Sequence, residues 1–408
     1  MTNISFEDTQ IAFEYKSDKE LKKARFLFSS MAKAWLVKLG TKITPLLIKA
    51  HFPIKGLIRN TIFSQFVGGE TLEETANVVD KLDPFHVQII LDYGVEGKED
   101  EKSFDNATEE FIKVIRYAAT QPHVPFMSVK LTGLARFGLL EKLNESADYN
   151  DVVNGIISNG GIDENEKNEW GRVVMRLERI CKAASESDTG VLIDAEESWI
   201  QNPVDAVTMM MMQKINIEKP VVYNTVQLYR HDRLQFLKDS YTASVRNHFL
   251  LGIKPVRGAY MEKERKRADE MNYPAPIQPD KDHTDADYNA ALEFCIEHID
   301  TIFIIVASHN EFSNLYATQL MDKKGVPHDS AHVLFSQLYG MSDNITFNLA
   351  KAGFNASKYL PFGPIKDVIP YLMRRAQENS SVSGQTGREL SLIKKEIKRR
   401  QLQLTISN

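Results

Sequence analysis

The residues able to do chemistry in this chain fall at the ends of short apolar runs. Lys130 ends Ser128-Val129-Lys130-Leu131-Thr132, and Asp194 and Glu196 lie in Leu192-Ile193-Asp194-Ala195-Glu196-Glu197. Asp92, Tyr93 and Glu96 follow an earlier run; Gln227, Lys254 and Arg257, Ser308-His309-Asn310, Gln337 and Leu338, and Tyr359 stand in or just past the ends of later ones. Arg374, Arg375, Glu378 and Asn379 then stand together beyond the last run. A set so rich in cations and in amide or hydroxyl donors suits an anionic cofactor and an anionic small substrate. Each residue also has a plainer reading. Lys130 is either a solvated lysine or an amine of the Schiff-base kind. Asp194 is a candidate helix N-cap. His309 is a candidate metal ligand, but no second histidine stands at ligand spacing, so no metal is expected. Arg374 and Arg375, as helix neighbours, point about 100° apart and reach one ligand only if it lies close to the helix; otherwise they form a solvated face.

The elements that must hold these residues read as eight strands. The runs are Val87–Leu91, Phe126–Leu131, Val191–Ala195, Val221–Leu228, Leu251–Val256, Ile302–Ala307, Val333–Leu338 and Lys358–Pro361. Their near-continuous hydrophobicity is what strands covered on both faces require, and each interval leaves room for a crossover helix. Eight such units match a (β/α)8 barrel, an α/β fold whose working residues sit at the C-terminal strand ends. A doubly wound sheet is the competing fold, but no GxGxxG follows the first strand. Residues 1–80 read as an N-terminal helical segment, with apolar spacing through Leu21, Phe28, Met31, Trp35 and Leu39, then Leu46, Leu47 and the stretch 58–66; the barrel is expected over 81–408. Thr71-Leu72-Glu73-Glu74 has the form of a capping box. Residues 140–170 look inserted, with Asp163, Asn165 and Lys167 as a polar helix start rather than a calcium loop. Residues 262–285 read as a charged, proline-bearing connection.

Composition narrows the classes. Of 408 residues, 43% are hydrophobic and 26% charged, so neither disorder nor a fibrous repeat is expected. Two cysteines without CxxC spacing argue against a disulfide framework and fit a reducing compartment. No apolar run is long enough to span a bilayer, and the first residues lack a secretory pattern, so a cytoplasmic protein is expected. The net charge is −5, yet residues 21–60 carry nine Lys and Arg and no acid, leaving −14 on the rest. Nucleic acid finds no other support. Either the segment meets an anionic membrane peripherally, or its helices pack on an acidic body and the lysines balance charge.

Several segments in order resemble the proline dehydrogenase family, most closely its monofunctional, eukaryotic-type branch. They are Val191-Leu192-Ile193-Asp194-Ala195-Glu196-Glu197, Pro255-Val256-Arg257-Gly258-Ala259-Tyr260, Val306-Ala307-Ser308-His309-Asn310, Phe335-Ser336-Gln337-Leu338-Tyr339-Gly340-Met341, Tyr359-Leu360-Pro361-Phe362-Gly363-Pro364 and Tyr371-Leu372-Met373-Arg374-Arg375-Ala376-Gln377-Glu378-Asn379. The resemblance runs from about residue 61 to 400. It implies a distorted (β/α)8 barrel with non-covalent FAD, oxidising L-proline to Δ1-pyrroline-5-carboxylate and passing electrons to a membrane quinone. It further implies that Arg374, Arg375 and Lys130 bind the proline carboxylate and that Tyr359, Tyr260 and Leu338 wall the ring. Asp194 would orient the cations, and Glu96 would close over the substrate as the partner of Arg374. Gln227, Lys254, Val256, Arg257, Gly258, Ala259, Ser308, His309 and Glu378 would contact FAD. Lys254 departs from the bacterial bifunctional members, which carry arginine near flavin N5, although a lysine can still donate there. No aldehyde dehydrogenase region is evident, so a separate pyrroline-5-carboxylate dehydrogenase is expected downstream. Two alternatives stand beside this expectation: a 4-hydroxyproline dehydrogenase, against which Tyr359 argues by crowding a ring hydroxyl, and a barrel that senses flavin or proline without turnover.

Overall fold

A computed structural model describes residues 4–33, 35, 37, 55–94, 97, 99–158, 160–381 and 385–406. Its eight strands are β1 (Val87–Tyr93), β2 (Phe126–Lys130), β3 (Gly190–Asp194), β4 (Val222–Gln227), β5 (Leu251–Val256), β6 (Ile302–Ala307), β7 (Val333–Leu338) and β8 (Ala356–Phe362). They close in chain order into one barrel, and the registered neighbours from β1 to β7 are all parallel. The expected (β/α)8 architecture is present. The chain divides into two compact units, residues 90–336 and residues 2–89 with 337–408.

In the first unit, strand interiors are buried almost without interruption, as both-face cover demands. Register then decides which side chains meet. Phe126 pairs with Gly190, and a Cβ at Gly190 would lie 2.2 Å from the Phe126 ring, so only glycine leaves room for it. Gly252 makes similar room beside Tyr223, whose ring meets Phe126 edge-on at 5.2 Å. Phe126 lies four residues before Lys130 on the same face of β2. Helices on the outside follow their apolar spacing: Glu101–Ala118 is capped by Asp100 and buries Phe104, Ala107, Phe111 and Ile115. Asp163 does open a helix, Glu164–Glu186, through a full capping box with Glu166. Residues 262–285 are more ordered than the sequence suggests. Met261–Met271 is helical, with Ala268 and Glu264 buried and Lys266 paired four residues on with Glu270, and a second helix starts at Lys281 behind the Asp280 cap. Cys181 and Cys295 are buried free thiols.

The second unit holds β8 and the helices Asp18–Met31, Leu72–Leu82, Asp343–Lys351, Ile365–Ser381 and Gln385–Ile406. Its core joins Leu21, Phe28 and Met31 to Phe63, Phe66, Met341, Leu372, Leu392 and Ile393. The apolar spacing at 58–66 is helical but broken into Lys55–Ile58, a wide turn Arg59–Phe63 and Ser64–Phe66. The Thr71 box is half formed. Its hydroxyl accepts from Glu74 N at 3.4 Å, while Glu74 turns back to Glu70 N. Leu39, Leu46 and Leu47 lie outside the described residues. Among the described residues no helix is long and apolar enough to cross a membrane.

Candidate active site

In the first unit, three predicted residues from β2, β3 and β5 converge. Lys130 and Asp194 are register partners on β2 and β3, which places both side chains on the inner face. Lys130 Nζ lies 3.3 Å from Asp194 Oδ2, and Lys254 Nζ, from β5, bonds Asp194 Oδ1. Asp194 is therefore a bridge between two cations and not a helix cap. The next helix, Ser198–Ile215, starts four residues later behind Glu197. Lys254 and Asp194 are buried, and Lys130 is nearly so, which excludes the solvated reading of Lys130. Burying two ammonium groups is tolerable only where carboxylates meet them.

A second carboxylate completes the group. Asp92 lies 3.4 Å from Lys130 Nζ and accepts from Ser128 Oγ at 2.8 Å. The sequence marks Asp92 only as a strand-end residue. Its role follows from two facts of pairing: Asp92 stands in register with Ser128, and Ser128 shares a face with Lys130 two residues on. Just past the ends of β2 and β3, Glu196 accepts from the backbone N–H and hydroxyl of Thr132, fixing the turn after Lys130.

The predicted cofactor residues also gather at strand ends. Arg257 is locked in one plane: Nε donates to Asp285 at 2.7 Å, Nη1 to Ser308 Oγ at 2.7 Å and Nη2 to Ser313 Oγ at 2.9 Å. Its guanidinium also lies over the Tyr288 ring, 4.3 Å from the centroid. Asp285, Tyr288 and Ser313 carry no signal in the sequence because they sit on the following helices. Ser308, His309 and Asn310 lead into the helix Glu311–Lys324, which Asn310 caps, so backbone donors and the helix dipole there favour phosphate. Gln227, at the end of β4, is buried, and among the described residues its Oε1 accepts no hydrogen bond. Val256 ends β5 beside it in register. Gly258 has φ +126°, and the ring of Tyr229 occupies the space a side chain would need. Ala259 is exposed and Tyr260 half-buried.

In the second unit, Tyr359 is the only β8 residue not fully buried. Its carbonyl accepts from Tyr339 N at 2.9 Å, linking it to the turn after Leu338, and Leu338 is partly buried against the unit's core. Arg374 and Arg375 lie on the helix Ile365–Ser381. Arg375 is buried and stacks over Tyr371, one turn back, at 5.3 Å, so the pair is no solvated face. Glu378 lies on the same helix, with its side chain outside the described residues, and Glu96 is outside them altogether.

Comparison with known proteins decides the lineage. The family model for proline dehydrogenase matches residues 75–388. The chain belongs to the proline dehydrogenase family. It is 33% identical over 379 residues to proline dehydrogenase 1, mitochondrial, of Dictyostelium discoideum, covering 85% of this chain and 66% of that protein. It is 33% identical over 346 residues to the carbapenem antibiotics biosynthesis protein CarD of Pectobacterium carotovorum, covering 85% of this chain and 86% of that one. It is also 31% identical over 422 residues to hydroxyproline dehydrogenase of Xenopus laevis, covering 97% and 90%. The crystal structure of proline utilization A from Bdellovibrio bacteriovorus superposes with a TM-score of 0.71 at 19% identity, covering 93% of this chain and 42% of that one. At that identity the likeness speaks for the barrel alone. The chain thus spans just under two thirds of the first of these proline dehydrogenases and less than half of the solved structure.

Proposed function

We propose that this member of the proline dehydrogenase family uses FAD to oxidise L-proline to Δ1-pyrroline-5-carboxylate and delivers the electrons to a quinone. The observation that carries the reading is the Lys130–Asp194–Lys254 bridge, a pair of buried cations held at barrel strand ends by one carboxylate. Asp92 and Asp194 balance these two cations in charge, so the bridge orders an ammonium donor for an anion rather than adding net positive charge. The substrate offers one, its carboxylate, and Lys130, Arg374 and Arg375 are assigned to take it. Asp194 and Asp92 hold the Lys130 ammonium in place. Tyr359, Tyr260 and Leu338 are assigned to the ring, and Glu96 to closure.

The residues present fit a flavin. Gln227 Oε1 is a buried acceptor that calls for a donor, and an isoalloxazine edge carries one. Gln227, Lys254, Val256, Arg257, Gly258, Ala259, Ser308, His309 and Glu378 would hold the cofactor. When bound, FAD would supply the hydride acceptor. The protein's share is orientation and water exclusion, with the donor carbon about 3–3.5 Å from its acceptor.

Delivery to a quinone within a bilayer requires an approach to that bilayer. Phe26, Trp35 and Leu57 are exposed among Lys22, Lys23, Arg25, Lys33 and Lys55, a mixture suited to an anionic surface. We take the contact to be peripheral, and the enzyme to be cytoplasmic with its two thiols reduced. A second reading, 4-hydroxyproline as substrate, has the Xenopus relative in its favour. The test of the activity is anaerobic addition of L-proline to the purified yellow protein. Bleaching of the flavin without NAD is expected. A flavin that stays oxidised with proline but bleaches with 4-hydroxyproline would replace this reading with the second, and one that responds to neither would leave a non-catalytic binder.

A further inference from the structure

The turn after β7 is held in an uncommon shape by side chains of three separate elements, two of them buried and one half-buried. Gly340 has φ +79° and Ser342 φ +51°, two left-handed residues within three positions. A Cβ at Gly340 would stand 1.9 Å from the Gln65 carbonyl oxygen, so the backbone passes too close for any other residue. Such a turn persists only where its surroundings over-determine it. They do so here. Gln65 Nε2 donates to Gly340 O at 2.8 Å, Lys358 Nζ donates to Met341 O at 2.6 Å, and Ser342 N donates to Glu389 Oε1 at 2.5 Å.

Lys358 is the unexpected member. It is wholly buried in the middle of β8, on the face opposite Tyr359, where a branched apolar residue would fill the space without a charge to compensate. Burial pushes its ammonium down, and Asp343 opposes that at 2.9 Å. Asp343 is in turn met by Lys16 Nζ at 2.8 Å and by the Tyr15 hydroxyl at 2.8 Å. An ion pair so deep adds little net stability compared with an apolar replacement. What it adds is a directed bond to Met341 O. Met341 N in turn donates to Leu338 O at 3.2 Å, and Tyr339 N donates to Tyr359 O. One lysine thus ties the turn that carries Leu338 to the strand that carries Tyr359.

We propose that Lys358, backed by Asp343 and joined by Gln65 and Glu389, is a positioning residue that sets the separation of Leu338 and Tyr359 and thereby selects the substrate ring. The proposal rests on the assignment of those two residues to the ring in the reading above. Its test uses the full-length flavoprotein and two variants. Lys358→Met with Asp343→Asn removes one charge of each sign and keeps the volume. Gln65→Met removes only the grip on Gly340 and leaves the buried charges alone. For each, kcat and KM are measured with L-proline and with trans-4-hydroxy-L-proline, beside flavin content and thermal midpoint. With flavin content retained, the double variant should raise KM for proline about tenfold, since misplacements on the 1 Å scale carry effects up to about a hundredfold. The preference for proline over 4-hydroxyproline should narrow by a similar factor, with kcat for proline changing less. Gln65→Met should move the same ratio in the same direction by a smaller factor, and it decides the question if the double variant does not fold. A substrate ratio equal to wild type in a flavin-loaded variant overturns the positioning role, whatever happens to the thermal midpoint. A wild-type flavin that proline does not reduce overturns the activity reading, and this proposal with it.

Discussion

Glu389 should make the fold less stable as the solution becomes more alkaline, and Glu389→Gln should abolish that effect. The carboxyl is buried and raised to about 7, first by burial and then by facing Asp343, against the Ser342 N–H and the Lys358 and Lys16 ammoniums. In the unfolded chain it titrates near the ordinary glutamate value of about 4.3. Between those two pH values the folded chain keeps a proton that the unfolded chain has released. The folded state therefore binds more protons there, and stability falls as pH rises. A raised acid pKa thus gives a contribution that is fully present below about pH 4 and gone above about pH 7. At about 1.4 kcal/mol per pKa unit, ionising Glu389 costs the fold on the order of 3 kcal/mol. Glutamine never ionises and keeps a carbonyl oxygen for Ser342 N–H. Urea unfolding of wild type and Glu389→Gln at pH 5, 6, 7 and 8 is the assay. The variant should match wild type within about 1 kcal/mol at pH 5 and exceed it by about 3 kcal/mol at pH 8. A constant gap between the two curves from pH 5 to 8 would refute the reasoning, because it would mean that Glu389 carries the same charge folded and unfolded.

Arg375→Met should weaken proline binding by about 2–4 kcal/mol, the cost of stripping one partner from a desolvated carboxylate, with FAD retained; an unchanged KM for proline would remove Arg375 from the carboxylate site. Tyr359→Ser should lower efficiency with proline and raise the relative efficiency with 4-hydroxyproline by opening space beside the ring; a fixed ratio between the substrates would show that Tyr359 does not line it. Changing Lys33, Lys38, Lys42 and Lys49 together to Gln should weaken flotation with anionic liposomes at low salt, each charge being worth about 1 kcal/mol at most. Binding that ignores both salt and the four changes would rule out electrostatic docking through this segment.

The barrel was legible because strands covered on both faces must be apolar throughout, and a run such as Val191-Leu192-Ile193 admits few other environments. The C-terminal parts of those runs announced Lys130, Asp194 and Lys254, since a charge in or closing an apolar strand needs either solvent or a partner. Which partner was beyond a one-dimensional reading. Asp92 reaches Lys130 only through the pairing of β1 with β2, and Asp285 reaches Arg257 only through the packing of a helix 28 residues on. Lys358 was misjudged for the same reason. The last run was read as opening at Lys358, yet the strand begins at Ala356 and Lys358 lies inside it, where Asp343, from the helix before β8, neutralises it. The connection 262–285 looked irregular because prolines and charges dominate it, while i,i+4 ion pairing supplies helical support that apolar periodicity does not display.

The two native thiols have a practical consequence. Cys181 is pushed up to about 12 by burial, and Cys295 is raised by the same cause, so neither offers a thiolate to maleimides or iodoacetamides at neutral pH. A single cysteine introduced at Phe26, Trp35 or Leu57, all exposed, would then take a fluorophore or spin label alone, without first rebuilding the wild-type background. Reporter groups at those three places would read out, residue by residue, any change of surroundings when lipid vesicles are added.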